Sequence, residues 1–423
     1  MAGREGDGEL GLGLVGCGRF GTFLLESFAG LPGLQLVAVA DGDLARAEAA
    51  AAASGVAAYA DVADLVADDR VGVVAVTTPP ASHAPVALAA IAAGKHVFCE
   101  KPLATDLAQA TGVLRAARDR DVRLTVDYVL RRNPLYALLA RLQADLLGPL
   151  QRFALENLAG DEQLGPDHWF WDATVSGGIL VEHGVHFFDA CSWLAGAEPT
   201  MVQALAVERA PGGPVDTVVA SAGYPGGASA TFAHVFARPN AAELQRTTLD
   251  WGFAHGVLDG WVPVELHLDV WTDEHGRALL DRVAADPPAA LAVPGYRPSG
   301  RERLATSVVA TDGLPAVWRG RGRARRVAHH VRAHASLGGP EATTGVYRES
   351  VRAGMADLLD AAAGRRPPVV TPADAWRSLA VALAAREAAA GGGLVAPAPL
   401  PSDLTAADPG VRRAGGRLSG WPG

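Results

Sequence analysis

Gly16-Cys17-Gly18-Arg19-Phe20-Gly21 follows the apolar run Leu12 to Val15 and opens a stretch in which Phe20, Phe23, Leu24 and Phe28 recur at helical spacing. A short, wholly apolar run before a helix reads as a buried parallel strand. Residues 34–40 form a second apolar run, which ends at Asp41, twenty positions beyond Gly21. Strand, glycine turn, helix, strand and acid in that order make a dinucleotide site. Gly16 supplies the tight turn, Gly18 lets the backbone approach a diphosphate, and Gly21 lets the helix lie close to the sheet. The helix N-terminus holds the anion, and Asp41 meets the ribose 2'-hydroxyl. Gly42 and Asp43 follow, with no arginine directly after the acid, so NAD is expected over NADP. A lone G-x-G-x-x-G in a chain with 49 glycines would be a weak signal. The strand, the helix and Asp41 make it specific.

Working outward, strand and helix patterns alternate: 71–77, 83–93, 96–99, 107–118 and 122–126. Such alternation predicts a parallel sheet covered on both faces, with ligands bound beyond the carboxyl ends of the strands. Thr77-Thr78-Pro79, Glu100-Lys101 and Asp127-Tyr128 lie at those ends. From about residue 129 the pattern changes. Asn133-Pro134 starts a helix over 135–147, Gly148-Pro149 stops it, and 150–158 reads as a strand. A helix over 176–194 and five alternating segments (202–208, 215–224, 228–236, 244–253, 262–270) follow, with further helices at 347–362 and 372–389. The expected fold class is α/β: an N-terminal doubly wound Rossmann sheet plus a C-terminal α+β domain with a largely antiparallel open sheet. The expected division is 1–128 for the NAD-binding domain and 129–370 for substrate binding and oligomerisation. A helix over 371–392 would pack back on the first domain, and 393–423 would form a loose Pro/Gly-rich tail.

The chain has 423 residues, enough for two domains, and its net charge of -9 gives no electrostatic support for binding nucleic acid or an anionic membrane. No apolar run approaches the ~20 residues of a membrane span. Arg4, Glu5, Asp7 and Glu9 are not followed by a signal-peptide core, so a cytoplasmic location is expected. Cys17, Cys99 and Cys191 are an odd number at wide spacing, against a disulfide framework or a structural zinc. Of 37 basic residues only Lys95 and Lys101 are lysines. A lysine kept amid arginine suits a task that needs a tunable pKa. Residues 286–340 are rich in Pro, Gly and Arg, and Arg319, Arg321, Arg323, Arg325 and Arg326 form a basic run, either solvated loop surface or a contact for a phosphorylated ligand or partner.

Ser176-Gly177-Gly178-Ile179-Leu180-Val181-Glu182-His183-Gly184-Val185-His186-Phe187-Phe188-Asp189 is the second dense motif. On an α-helix Glu182 and His186 share a face, with Asp189 one turn on. A carboxylate there orients an imidazole for general-base work. A merely packed histidine fits the same segment. Metal binding by His183, His186 and a carboxylate is a weaker rival, because the histidines are three apart and no H-E-x-x-H is present. Upstream, Trp169, Phe170 and Trp171 lie among polar groups. Flat rings so placed suit the apolar faces of a sugar, and equally bury themselves.

Thr78-Pro79, His83 and Gly94-Lys95-His96-Val97-Phe98-Cys99-Glu100-Lys101-Pro102 resemble the hallmark of the Gfo/Idh/MocA oxidoreductases, and 177–189 resembles that family's second motif. The likeness runs from about residue 10 to 392. It implies hydride transfer between NAD and a secondary alcohol or ketone of a sugar, cyclitol or related polyol. Carried over by position, Lys101 holds the substrate hydroxyl near the nicotinamide, Glu100 lies beside the cofactor, and His186 takes or gives the proton. Glu182 stands where the family usually has aspartate. His183, commonly an apolar position there, adds a polar contact. The cofactor set is then Gly16, Gly18, Arg19, Phe20, Gly21, Asp41, Thr77, Thr78, Pro79, His83 and Glu100; the substrate set is Tyr128, Asn157, Trp169, Trp171 and His183. No metal is expected, and the family implies a homodimer or homotetramer. Two other readings share the fold: an NAD-dependent glycosidase or epimerase working by transient oxidation, and a non-catalytic dinucleotide-binding regulator.

Overall fold

The computed structural model describes residues 9–320 and 323–405. Leu12, Leu14 and Val15 are buried on both sides, as a central parallel strand requires. The first half runs β1 (Leu10–Val15), α1 (Arg19–Phe28), β2 (Leu34–Ala40), α2 (Leu44–Ser54), β3 (Ala57–Tyr59), α3 (Val62–Ala67), β4 (Val73–Val76), α4 (His83–Ala92), β5 (His96–Cys99), α5 (Leu107–Asp119) and β6 (Leu124–Val126). The six strands are parallel, in the order β3-β2-β1-β4-β5-β6. Strand order reverses between β1 and β4, so a crevice opens there. Gly16 sits at φ 102, and a Cβ on Gly21 would stand 1.9 Å from the Gly16 carbonyl oxygen. Only glycine lets α1 approach β1 so closely.

A 3-10 turn over Val129–Arg132 leads to α6 (Pro134–Leu142), capped by Asn133, whose Oδ1 accepts from the Leu135 amide at 2.9 Å. Then come β7 (Arg152–Gly160), the short α7 (Ala173–Ser176), a π-helical turn over Leu180–Gly184, α8 (Val185–Ala195), β8 (Met201–Glu208), β9 (Val215–Gly223), β10 (Ser229–Arg238), β11 (Leu244–Trp251), β12 (Ala254–Asp259) and β13 (Glu265–Thr272). The chain continues through α9 (Glu274–Ala285), α10 (Pro287–Ala290), β14 (Arg303–Val309), β15 (Ala316–Gly320), β16 (Arg323–Val327), β17 (His329–Ser336), α11 (Thr343–Ala362), α12 (Pro372–Gly391) and α13 (Ser402–Thr405). Nine of these strands form one sheet, ordered β14-β17-β13-β12-β11-β7-β10-β9-β8. It is antiparallel except where β10 runs parallel to β7. Alternating burial along β7, β9 and β10 leaves one face packed and the other open. The chain is α/β overall, as its sequence pattern indicates.

Four local expectations change. The helix over 176–194 is broken: Gly177 and Gly178 both take positive φ, and the chain re-enters through the π turn. The stretch 286–340 holds β14 to β17, and the arginines other than Arg321, which lies outside the described residues, fall on the hairpin β15-β16. Helix α12 packs on α5 and β6 but also on α8 and β8, so it lies between the two sheets. Residues 393–405 are anchored: Val395 bridges Val202, and Asp403 pairs with Arg115 at 2.9 Å. The rest of the expected tail, 406–423, lies outside the described residues. No described helix is long and apolar enough to cross a membrane.

Two buried arginines after β6 fix the assembly. Arg131 donates to both oxygens of Asp189 on α8, each at 2.7 Å, and to Asp374 on α12 at 3.1 Å. Arg132 reaches Asp357 on α11 at 3.2 Å. The three helices beside the crevice are thereby tied to the end of one strand.

Candidate active site

A cleft of about 1160 Å³ runs from the glycine turn to the second sheet. At one end Gly16, Gly18, Arg19, Phe20, Asp41, Thr77, Thr78 and Pro79 line it. Asp41 is held by backbone: Oδ2 accepts from the Cys17 amide at 2.8 Å and Oδ1 from the Asp43 amide at 2.9 Å. A Cβ on Gly18 would meet nothing within 4 Å, and α1 has no side-chain cap. The free amides of its first turn and the bare Gly18 face fit a diphosphate. Gly21 lies beneath, against Gly16. Arg46 also lines this end and pairs with Asp43 at 3.2 Å, a cation that stands five positions beyond Asp41 and not directly after it.

At the other end His183 and Trp261 line the cleft, and beside that lining Lys101 Nζ donates to the Glu182 carbonyl at 2.8 Å and to Glu182 Oε1 at 2.5 Å. The side chains of this pair are about one-eighth exposed, at 13% and 12%. Glu182 therefore anchors the lysine and does not orient His186, whose Nδ1 has no partner among the described residues. The π turn explains the difference: its wider winding takes residue i+4 off the face it would share on an α-helix. Asp189 is likewise taken by Arg131. His186 is buried, its ring 4.9 Å from Trp261 and 6.1 Å from His183 between centroids. Burial, and then the Lys101 ammonium, hold its pKa well below the ordinary imidazole value. The same two causes lower His183 to about 3. Both rings are neutral at pH 7. Lys95, by contrast, sits at the opposite end of β5 and donates to the Asp68 carbonyl at 3.3 Å.

Several expected contacts move. His83 is buried with its two ring nitrogens 2.6 Å from the carbonyls of Pro102 and Thr78, so it staples the lysine loop to the loop after β4 and does not face the cleft. Tyr128 is wholly buried; its ring edge meets His186 at 6.0 Å while its hydroxyl turns toward Asp189 and Ser378. Trp171 turns away, donating to the Leu164 carbonyl at 3.1 Å beneath Arg209. Trp169 and His183 do line the cleft. Asn157 is buried beside its sheet neighbour His234, and neither end of its amide nor either nitrogen of His234 has a partner among the described residues. Glu100 is buried behind the lysine.

Trp261 and Tyr347, whose rings meet at 5.5 Å, and Thr344 also line the cleft. No local pattern marks them, since each arrives from a distant connection or helix. His234 did carry a signal: it alternates with Phe232 and Phe236 on β10, so it faces the core. Among the described residues no group of three or more His, Cys, Asp or Glu is arranged to hold a metal ion.

Residues 10–128 match the model of an oxidoreductase family with an NAD-binding Rossmann fold, and 137–249 match the Gfo/Idh/MocA C-terminal domain. An inositol 2-dehydrogenase of Saccharopolyspora erythraea is 36% identical over 198 residues, covering 46% of this chain and 56% of that protein. One from Rhizobium meliloti is 31% identical over 195 residues, covering 46% and 57%. The chain spans about half the length of the curated relatives it matches. Among solved structures, a levoglucosan dehydrogenase in complex with NADH and levoglucosan superposes with TM-score 0.71 at 21% identity, covering 92% of this chain and all of that one. GenD2 from gentamicin A biosynthesis, in complex with NAD, gives 0.68 at 24% identity, covering 93% and 97%. These two share the fold.

Proposed function

The chain belongs to the Gfo/Idh/MocA oxidoreductases, and from that premise we propose that it moves a hydride between NAD and a secondary alcohol carbon of a sugar, cyclitol or related polyol. One observation carries the reading: the Lys101 ammonium is bonded to the turn whose His183 lines the far end of a cleft that begins at Asp41, and that turn leads directly into His186. NAD, when bound, supplies the hydride acceptor. The chain has to supply a place for the hydroxyl proton and a charge to steady the developing alkoxide. His186, neutral and buried, accepts the proton; Lys101, held by Glu182, stands as the cation. Trp169, Trp261 and Tyr347 wall the cleft and exclude water. Behind His183, whose ring lies 5.4 Å from that of His234, Asn157 and His234 hold buried polar atoms that lack partners among the described residues, suited to further substrate hydroxyls. Asp41 faces a 2'-hydroxyl better than a 2'-phosphate, and Arg46 is engaged by Asp43. The open face of the nine-stranded sheet is the surface on which a homodimer or homotetramer would form, which light scattering on the eluted protein checks.

The test is a panel of sugars and cyclitols with NAD and with NADP, followed at the absorbance of reduced nicotinamide. Net NADH with at least one polyol is the expected result. Glycoside cleavage without net NADH would replace this reading by transient oxidation, and cofactor binding with no turnover on any panel member would leave a dinucleotide-binding regulator.

A further inference from the structure

Glu100 and Asp127 follow directly on β5 and β6. Cys99 pairs with Val126 across those strands, so the two carboxyls fall in one row. Both are buried, 6% and 1% exposed. Glu100 Oε1 and both oxygens of Asp127 find no donor among the described residues, and Glu100 Oε2 takes only the Lys101 amide at 3.3 Å. Two cations stand nearby, and neither hydrogen-bonds the pair through its side chain. Lys101 Nζ is turned to Glu182; Arg132 bonds Asp357 through Nη2, while its Nη1, without a hydrogen-bond partner among the described residues, stands 3.9 Å from Asp127, an ion pair beyond hydrogen-bond reach. The remaining groups facing the pair are the Cys99 thiol on β5 and the Tyr347 hydroxyl on α11, with Glu182 beyond the lysine.

Two adjacent buried carboxylates with a single long hydrogen bond and one cation at 3.9 Å between them are costlier than one carboxylate hydrogen-bonded to one carboxylic acid. A single proton between them gives the orphaned oxygens a donor. Burial, then the neighbouring Asp127, pushes Glu100 well above the carboxylate range. Burial raises Asp127 to about 6, with Arg132 working against it. Tyr347 joins this pair to the cleft: it lines the cleft, and both carboxylates act on its hydroxyl.

We propose that Glu100 and Asp127 share one proton at neutral pH, and that this proton passes to solvent when oxidised NAD binds and is kept when the reduced form binds. The inference rests on the cofactor reading above and adds a proton linkage to it. An oxidised nicotinamide ring carries a positive charge that the reduced ring lacks. A cation arriving in the cleft favours the dianionic pair; one carboxyl O–H bond breaks, its proton goes to buffer, and no electrons move.

The experiment is titration calorimetry of the full chain with NAD+ and with NADH, each in buffers of different ionisation enthalpy. NAD+ heats should differ between buffers by the amount expected for release of up to one proton per site, and NADH heats should not. Over about pH 6 to 8 the affinity for NAD+ should rise up to ~tenfold per pH unit while that for NADH stays level. Glu100→Gln and Asp127→Asn should each abolish the release. Binding of NAD+ with buffer-independent heats in the unmutated protein, or release that persists in both variants, overturns the shared proton and leaves the cofactor reading intact. No binding heat from either form overturns the cofactor reading and this inference with it.

Discussion

The two ends of the cleft are built differently. The nucleotide end is mostly backbone: three glycines, the amides of α1, and a carboxylate held by two main-chain N–H groups. Its parts lie between Gly16 and Pro79, on consecutive strands of one sheet. The end proposed to take substrate is mostly side chains, drawn from the connection after β7, the π turn, the connection after β12, and α11, with Lys101 bonded to the π turn beside it. Backbone sites depend on local conformation, which glycine and strand patterns dictate. Side-chain sites depend on which distant elements pack together. Substitutions at the first end should therefore change affinity by modest amounts, and at the second should change chemistry or stability by large ones.

The largest effect belongs to Lys101→Ala. Turnover should fall by ~10³-fold or more, while NAD affinity stays within about twofold by calorimetry, since the glycine turn and Asp41 are untouched. Unchanged turnover would remove the lysine from the chemistry. Next comes the tie between the ends. Arg131→Met leaves Asp189 buried without its cation and Asp374 with only Arg377, 3.7 Å away, and removing one partner of such a cluster costs about 3 to 5 kcal/mol. A urea midpoint within error of the unmutated protein would show that the helices do not depend on it.

The same contrast explains what the sequence could say. Five of the six parallel strands, the glycine turn and Asp41 were legible because largely apolar strands and a three-glycine turn admit few other conformations; the edge strand β3 was not, being three half-buried residues with no apolar run of its own. The parallel join of β7 and β10 was not, because no turn links those strands. Glu182 was placed on the right turn and given the wrong partner: four-residue spacing assumes α-helical winding, and Leu180–Gly184 is π-helical. Trp171 and Tyr128 were read as contacts from composition and position, but side-chain direction decides contact, and both point away. Trp261 and Tyr347 left no trace because their role comes wholly from tertiary packing. The Arg-rich run looked like a loop because Pro and Gly mark turns, and here they bound the short strands β15 and β16.

Smaller effects sharpen the comparison. Asp41→Ala should weaken NAD by ~tenfold, about 1.4 kcal/mol, and narrow its preference over NADP, with the polyol KM little changed. A shift in polyol KM as large as that in NAD affinity would contradict the separation of the two ends. His234→Leu removes two nitrogens, unpartnered among the described residues, from the layer 5.4 Å behind the cleft-lining His183, and should raise polyol KM several-fold, roughly 1 kcal/mol, without altering NAD binding. Equal KM values would mean that no substrate hydroxyl reaches β10.

The smallest expected change is in the pH profile of polyol oxidation at saturating NAD+. An imidazole at the ordinary value near 6.5 would lose about threefold in its neutral fraction between pH 7 and pH 6. His186 is shifted down by burial and by the Lys101 ammonium, both of which oppose imidazolium. It acts as base only when neutral, so the rate falls when pH drops through its lowered pKa, and the acid limb should lie below 6.5, leaving the rate at pH 6 close to that at pH 7. A bound positive nicotinamide pushes in the same direction. A limb at or above 6.5 would mean that a less buried group accepts the hydroxyl proton, and the substrate end would then need a base other than the histidine on α8.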